Sequence, residues 1–163
     1  MTVEVQTWKT LEKTYGMIKP DAVRAGKVDA ILKAAEDAGF VVVKAQQQRL
    51  TPERAGEFYA EHKGKPFYEK LVGFMSSGPI VACCFAKTNA IADWRELMGP
   101  TNTIKAKEDA PNSLRARFGT DGTMNATHGS DSPTSAMREL KFFFPNLTLD
   151  PVPEGAAARE YIQ

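Results

Sequence analysis

Two kinds of apolar pattern alternate along the chain and predict the order of its secondary-structure elements. Short apolar runs bounded by turn residues predict buried strands over residues 14–18, 40–44, 80–86 and 124–128. Apolar positions at helical spacing predict helices over residues 28–38, 52–61, 66–75, 89–98 and 133–142. Strands and helices in this order are typical of an α/β sandwich in which helices cover a small sheet.

Local signals predict where several of these helices begin or end. Gly39 follows the first helical pattern and is expected to end it in the left-handed conformation. Thr51 and Thr88 precede the second and fourth helical patterns and are expected to cap them. Asp131 or Ser132 can cap the last helix, which a proline opens.

Length and composition restrict the class of protein. The chain has 163 residues, of which 42% are hydrophobic, and this fits one globular domain with a substantial core. Lys and Arg total 21 against 20 for Asp and Glu, so the chain lacks the basic surplus of proteins that bind nucleic acids or acidic membranes. No apolar run approaches the length of a membrane span. We therefore expect neither a nucleic acid nor a membrane as partner.

The two cysteines suggest a reducing compartment. Cys83 and Cys84 are adjacent in an apolar run, where strand alternation would direct them to opposite faces of a sheet. We interpret both as reduced core thiols. Because the N-terminus also lacks an apolar signal sequence, the expected location is cytoplasmic.

The stretch over residues 101–121 has no clear period and is predicted to be a long basic loop. It carries Lys105, Lys107, Arg115 and Arg117 among small residues and prolines. Loops of this length in compact domains are usually functional or disordered, and its position directly before the next segment favours function.

That next segment is the strongest candidate for chemistry. The sequence Asn-Ala-Thr-His-Gly-Ser-Asp at 125–131 places His128 among small polar residues. An imidazole can act there as base, ligand or nucleophile. Gly129 removes bulk beside the ring, and Ser130 and Asp131 offer a hydroxyl and a carboxylate. A helix N-terminus just after them would favour phosphate-like anions. The other histidine, His62, is interpreted as a solvated residue.

A phosphate ligand would have to be held by cations from separate elements. The chain has neither the G-x-x-x-x-G-K-[ST] loop nor the G-x-G-x-x-G turn. The candidate cations are Lys19, Arg95, Lys105, Lys107 and Arg115. Metal-ligand spacings of the H-x-x-x-H or C-x-x-C kind are also missing, so the expected ion is Mg²⁺ that arrives on a nucleotide.

Five motifs together resemble the nucleoside diphosphate kinase family, in the family's order. They are Ile-Lys-Pro-Asp at 18–21, Ser-Gly-Pro at 77–79, Gly-Pro-Thr-Asn at 99–102, Ser-Leu-Arg at 113–115 and the histidine segment at 125–131. The resemblance covers roughly residues 14–149. It implies a ferredoxin-like α/β sandwich with a four-stranded antiparallel sheet. It also implies Mg²⁺-dependent transfer of the γ-phosphate of ATP to a nucleoside diphosphate, in a ping-pong reaction through a phosphohistidine.

The resemblance also assigns roles to residues at matching positions. His128 matches the family's nucleophile, and Glu139 matches the acid that bonds the other ring nitrogen, with Ser130 and Asp131 in support. Lys19 matches a phosphate contact and also counts as catalytic. The other residues that match phosphate and sugar contacts of the family are Tyr59, Arg95, Thr101, Arg115 and Asn125. Phe67 and Leu71 match an apolar clamp on the base, which implies low base specificity because every base has the same kind of face.

Departures from the commonest members indicate a divergent second group of the family. The region between Asn102 and Arg115 is a few residues longer than usual, and Met124 stands where an arginine is usual. Residues 111–116 and 151–157 resemble the ciliary, radial-spoke-associated branch. The implied domains are an N-terminal extension over 1–12, the kinase domain over 13–150 and a C-terminal extension over 151–163.

This branch resemblance leaves the physiological role open. The chain is expected to form a homo-oligomer or to belong to an axonemal complex, in the cytoplasm or in the ciliary axoneme. One alternative to an active kinase is a low-activity, kinase-like structural or interaction domain. A weaker one is a phosphohistidine protein that passes its phosphate to other proteins.

Overall fold

A computed structural model describes residues 11–147 and the backbone of 161–162. Its strands are β1 (Glu12–Ile18), β2 (Val41–Arg49), β3 (Pro79–Lys87), β4 (Thr127–Gly129) and β5 (Tyr161–Ile162). Its helices are α1 (Pro20–Arg24), α2 (Val28–Asp37), α3 (Pro52–Phe58), α4 (Tyr68–Met75), α5 (Ala90–Met98), α6 (Thr103–Asp109), α7 (Leu114–Phe118) and α8 (Pro133–Phe143). A single 3-10 turn, Ala60–His62, lies between α3 and α4.

The strands form one sheet in the order β4-β1-β3-β2-β5. The first four are antiparallel neighbours, which confirms the predicted four-stranded antiparallel sheet of a ferredoxin-like fold. The two-residue strand β5 was not predicted; it pairs in parallel with β2, with Tyr161 opposite Ala45. The sheet order places β4, and with it His128, at the opposite edge from β5, paired to β1.

Helices cover both faces of the sheet, so the central strand β3 is buried on both sides. Cys83 packs in a cluster with residues of α2, α5 and α7, while Cys84 packs in a second cluster with residues of α3, α4 and α8. Both cysteines are free and buried, which confirms their interpretation as core thiols on opposite faces. Burial raises the pKa of the Cys84 thiol to about 12, so this group stays protonated at neutral pH.

The prediction of a structureless loop over residues 101–121 was wrong. This stretch contains α6 and α7, which are too short for a hydrophobic period to be visible in the sequence. Both are begun by side-chain caps: Asn102 accepts a hydrogen bond from the amide of Lys105, and Ser113 accepts one from the amide of Ala116. The two helices therefore depend on their caps rather than on a long apolar face.

The predicted cap at Thr88 was also wrong. Helix α5 has Asn89 at its N-cap, and that side chain makes no capping hydrogen bond. A carboxylate from β1 takes its place, since Glu12 Oε1 accepts a hydrogen bond from the amide of Ile91 at 2.9 Å. The predicted caps Gly39, with a φ of 94°, and Thr51, which accepts from the amide of Arg54, are confirmed.

Other boundaries differ by a few residues. Strand β2 extends to Arg49 rather than ending at residue 44, and α3 ends at Phe58, after which the chain continues as the 3-10 turn. The proposed extensions over 1–12 and 151–163 fall largely outside the described residues. In the part of the chain that is described, no helix has both the length and the apolar character needed to cross a membrane.

Candidate active site

His128 lies on β4, on the wall of a cleft with a volume of about 340 Å³. Pairing of β4 with β1 places it opposite Met17. Its ring contacts the aromatic rings of Tyr15, Phe58 and Tyr59, with centroids 6.0, 5.4 and 6.5 Å away. About a quarter of the side chain (26%) remains exposed. The imidazole is therefore fixed by packing but open to a ligand in the cleft.

One ring nitrogen of His128 is bound by a buried carboxylate. His128 Nε2 and Glu139 Oε1 are 2.5 Å apart, and Ser130 Oγ donates to the other oxygen of Glu139 at 3.3 Å. A carboxylate only accepts, so the proton of the neutral ring belongs on Nε2 and the lone pair of Nδ1 is free. Glu139 thus leaves Nδ1 as the ring nitrogen that can react with or bind a ligand.

Helix α8 delivers Glu139 from a well-defined start. Ser132 accepts a hydrogen bond from the amide of Ser135, and the hydroxyl of Ser135 accepts one from the amide of Ser132, which completes a capping box. Of the two predicted caps, Ser132 is the one used. Asp131 instead accepts from the hydroxyl of Ser135 at 2.6 Å, and this hydrogen bond lowers the pKa of the Asp131 carboxyl.

Gly129 is required because the backbone of β4 runs against an indole. A Cβ at this position would lie 2.4 Å from Trp94 Cδ1. Trp94 cannot move aside freely, since its Nε1 donates to the carbonyl oxygen of His128 at 3.2 Å and its ring is fully buried. Gly129 therefore lets Trp94 of α5 come close enough to donate a hydrogen bond to the backbone of His128.

Replacing Gly129 by alanine is expected to lower the free energy of unfolding by about 1–3 kcal/mol, because the added methyl group overpacks a rigid contact. Urea denaturation followed by tryptophan fluorescence would measure the loss. Gly73→Ala is the matched control, since a Cβ there meets no atom within 4 Å. An equal effect of the two substitutions would contradict the packing argument.

Lys19 is a buried cation at the end of β1. Its ammonium donates to Thr123 O and to Asn125 Oδ1, both at 2.9 Å. Burial lowers its pKa to about 8, and the nearby Arg115 adds to this, while Asp21 and Asp121 act in the opposite direction. Lys19 is therefore still charged at neutral pH, and its charge is poorly solvated before any anion arrives.

Arg115 brings a second cation into the cleft from α7. Its guanidinium donates to Gly99 O at 2.9 Å and to Thr127 O at 3.1 Å. Burial, together with the charge of the neighbouring Arg95, lowers the pKa of Arg115 to about 10. Arg95 itself is exposed on α5 and lines the same cleft. An anion here would relieve the mutual repulsion of the two arginines.

The residues before His128 are fixed by the segment that follows β1. Ala126 has a φ of 73°, an uncommon conformation for a residue with a Cβ. Its amide donates to Asp21 Oδ2 at 3.1 Å, and its carbonyl oxygen accepts from the amide of Lys19 at 2.8 Å. Asn125 is buried and donates to Thr101 O and Gly122 O. The lysine motif and the histidine motif are thus one hydrogen-bonded unit.

Most residues predicted for the site line this one cleft. They are Lys19, Tyr59, Leu71, Arg95, Thr101, Arg115, Asn125, His128, Asp131 and Glu139. Ser130 is buried behind the cleft, where it bonds Glu139. Phe67 is 48% exposed and lies beside the cleft, with its ring 5.4 Å from that of His62.

Two of the candidate cations do not reach the cleft. Lys105 and Lys107 lie on α6, whose buried positions are Thr103 and Ala106, so both lysines are exposed to solvent. Their inclusion in the predicted cluster was wrong, because a helix was mistaken for a loop that could fold over the ligand.

Sequence reasoning missed several residues of the cleft. His62 was interpreted as solvated, but it lines the cleft three residues after Tyr59, where the helical turn places both on the same side. Glu61, Ser135 and Arg138 also line it. The spacing of Tyr59 and His62 was the available signal for His62.

A larger cavity, of about 500 Å³, lies elsewhere and does not have comparable chemistry. It is lined by residues that include Phe40, Lys87, Asp93 and Glu96. Lys87 Nζ donates to Asp93 Oδ2 at 2.6 Å, so the cation is already paired. No histidine lines this cavity, and within the described residues no group of three or more His, Cys, Asp or Glu could hold a metal ion.

Comparison with known proteins agrees with this geometry. Residues 12–149 match the family model described as nucleoside diphosphate kinase. The chain is 45% identical over 152 residues to nucleoside diphosphate kinase homolog 5 of Danio rerio, which covers 93% of this chain and 69% of that protein.

Two solved structures share the fold. The Aquifex aeolicus nucleoside diphosphate kinase has a TM-score of 0.82 and 46% identity, covering 87% of this chain and 99% of that chain. The Halobacterium salinarum enzyme, solved in complex with CDP, has a TM-score of 0.79 and 35% identity, covering 86% of this chain and 93% of that chain.

Proposed function

The chain belongs to the nucleoside diphosphate kinase family, and we propose on this basis that it is an active kinase that works through a phosphohistidine. The observation that carries the proposal is the pairing of His128 Nε2 with Glu139, which leaves Nδ1 free in a cleft that also presents Lys19, Arg95 and Arg115. A nucleophile and three cations in one cleft are what phosphoryl transfer requires, because this reaction depends on positioning and charge stabilisation.

In the first half-reaction, Nδ1 of His128 attacks the γ-phosphorus of a nucleoside triphosphate such as ATP. The new N–P bond forms as the bond from that phosphorus to the β–γ bridging oxygen breaks, and the diphosphate leaves with the electron pair. Glu139 stabilises the positive charge that develops on the ring. Lys19, Arg95 and Arg115 neutralise charge on the transferred group.

In the second half-reaction, a β-phosphate oxygen of another nucleoside diphosphate attacks the same phosphorus. The N–P bond breaks, and its electrons return to Nδ1. The proton stays on Nε2, in its hydrogen bond to Glu139, through both half-reactions, so no other acid or base is needed.

Mg²⁺ would enter this cleft on the nucleotide rather than on a protein site. Two carboxylates of the cleft already have short hydrogen bonds, Glu139 to His128 and Asp131 to Ser135. The third, Glu61, lies 3.7 Å from His62 and 4.0 Å from Arg138, and the other charged side chains of the cleft are cations, which are poor metal ligands and good phosphate partners. When bound to the phosphates, the ion would supply further charge neutralisation.

Phe67 and Leu71 would clamp the base. Leu71 lines the cleft, and the Phe67 ring is 48% exposed beside it, so part of the ring is open to a base. Because stacking uses the face of the base and not its edge, the enzyme would accept purines and pyrimidines alike.

Phe67→Ala is expected to raise KM by about 5–50-fold with little change in kcat, since base stacking on an aromatic ring contributes about 1–3 kcal/mol per base. Steady-state rates with GDP, CDP and UDP as acceptors would measure this. Phe118→Ala serves as a comparison, because that ring is partly buried away from the cleft. A large effect on kcat alone would show that Phe67 does not act through the base.

The central test is a pulse and chase with γ-labelled ATP. The purified chain is incubated with the labelled nucleotide and Mg²⁺, and then excess GDP is added. An active kinase gives an acid-labile, base-stable protein label that disappears as labelled GTP forms. A label that forms but is not transferred to GDP would refute the proposal. Such a label would point instead to transfer to protein substrates.

A second candidate function is a kinase-like structural or interaction domain with low turnover, in an axonemal complex. Met124, the lengthened region that folds as α6 and α7, and the branch resemblance at 111–116 support keeping it. The pulse with labelled ATP separates an active kinase from an inactive domain of this kind, because the inactive domain binds the nucleotide without forming the label. A mass measurement in solution would give the oligomeric state. Imaging of the tagged chain in ciliated cells would test an axonemal against a cytoplasmic location.

A further inference from the structure

Glu61 is the least firmly held of the three carboxylates that line the cleft. Glu139 is bound by His128 and Ser130, and Asp131 by Ser135. Glu61 Oε1 lies 3.7 Å from His62 Nε2 and 4.0 Å from Arg138 Nη2, and its side chain is 65% exposed. A carboxylate in this position opposes the approach of a polyphosphate, and its two partners release it easily because exposed ion pairs are weak.

Arg138 is held at the opening of the same cleft. It lies on α8 directly before Glu139, so the helix that fixes the nucleophile also places this guanidinium. Its side chain is 51% exposed, and among the described residues its ion-pair partner is Glu61. A guanidinium donates two parallel hydrogen bonds to a phosphate, which is a better partner for it than a carboxylate at 4.0 Å.

We propose that Arg138 is a further phosphate-binding residue of the cleft and that Glu61 is the partner it leaves. The inference rests on the proposed function, since it needs a nucleotide as the ligand. An incoming polyphosphate replaces Glu61 at the guanidinium, and the displaced carboxylate turns toward solvent. The two residues then act with opposite sign: Arg138 favours nucleotide binding and Glu61 opposes it.

This opposition can be tested with neutral substitutions, of which Glu61→Gln also keeps the shape of the side chain. Arg138→Gln is expected to raise KM for ATP and for GDP by about 5–10-fold with kcat within about twofold, because a charged hydrogen bond to phosphate is lost. Glu61→Gln is expected to lower both KM values by about 2–3-fold. Arg138→Lys retains a cation and should recover most of the affinity. In the double variant with Arg138→Gln, the Glu61→Gln substitution should lower KM by less than it does alone.

Lys141→Gln provides the matched control. It removes one positive charge from an exposed position of the same helix, outside the cleft, and should change neither KM nor kcat. If Arg138→Gln and Lys141→Gln behave alike, or if Glu61→Gln raises KM, the proposal is overturned. Thermal unfolding of each variant is recorded as well, because a structural role for Arg138 would lower the melting temperature without this split of KM and kcat.

Calorimetric binding of ADP separates this inference from the proposed function. If the wild-type chain binds ADP without transferring phosphate, and Arg138→Gln still weakens that binding 5–10-fold, the kinase proposal fails and the role of Arg138 stands. If the chain transfers phosphate and Arg138→Gln leaves ADP binding unchanged, the role of Arg138 fails and the kinase proposal stands.

Discussion

His128→Asn is expected to lower phosphoryl transfer by at least about 10⁴-fold and to abolish the acid-labile label, because it removes the atom that forms the N–P bond. The fold should be retained. Asparagine is smaller than the imidazole, and Glu139 keeps the hydrogen bond that Ser130 Oγ donates. The hydrogen bond from Trp94 goes to the backbone carbonyl of residue 128 and does not depend on the side chain. Single-turnover labelling with γ-labelled ATP measures the loss, and calorimetric binding of ADP checks that the cleft is intact.

His62→Asn is the matched control for this prediction. The ring of His62 lines the same cleft, 6.3 Å from the ring of Tyr59, but no carboxylate fixes its tautomer as closely as Glu139 fixes that of His128. The variant should therefore keep the label and the transfer to GDP. If the label persists on the His128 variant and vanishes with His62→Asn, the assignment of the nucleophile is wrong.

Periodicity predicted the long elements because each buries one continuous face. Helices α2 and α8 show this, with Ile31, Leu32 and Ala35 buried on one and Ala136, Glu139 and Leu140 on the other. The same reasoning failed over residues 101–121, where α6 and α7 are held by their caps and bury only two residues each. Short capped helices leave too few apolar positions to reveal a period.

The site could be predicted only in part, and for a different reason. Motif resemblance indicated the residue types, but it did not indicate how the motifs are joined. The amide of Ala126 bonds Asp21, 105 positions earlier in the chain, and Asn125 bonds Lys19, 106 positions earlier. Contacts of this range leave no trace in local patterns. The positive φ of Ala126 was equally invisible, because alanine gives no signal for it.

One of these long-range hydrogen bonds holds the ammonium of Lys19 in a buried position, which is unfavourable for its charge. The ammonium is buried, and its pKa is lowered to about 8 chiefly by that burial. An unfolded lysine titrates near 10.4, so the unfolded chain binds more protons than the folded one between about pH 8 and pH 10. This group therefore lowers the free energy of unfolding at neutral pH, and the loss is recovered as the pH rises through that window. A bound phosphate would remove the penalty by giving the charge a partner.

Lys19→Gln is accordingly expected to lower phosphoryl transfer by about 10²–10³-fold, because a preorganised cation that stabilises the transferred group is lost. The same substitution should raise the free energy of unfolding at pH 7 by about 1–3 kcal/mol, and this gain should shrink as the pH rises from 8 to 10. Urea denaturation at several pH values measures the second effect. Glutamine retains two N–H donors for the oxygens of Thr123 and Asn125, which accept from Lys19 in the wild-type chain.

The pH profile of the wild-type reaction provides a separate check on Lys19. Since kcat/KM reports the free enzyme, it should fall as the pH rises above about 8 and the ammonium loses its proton, and Lys19→Gln should lack this limb. Lys13→Gln, on the same strand but outside the cleft, should keep it. An alkaline limb that persists unchanged in the Lys19 variant would mean that another group controls it. Loss of activity together with gain of stability would show instead that this chain retains a strained cation for phosphate, because a purely structural lysine would give the opposite change in stability.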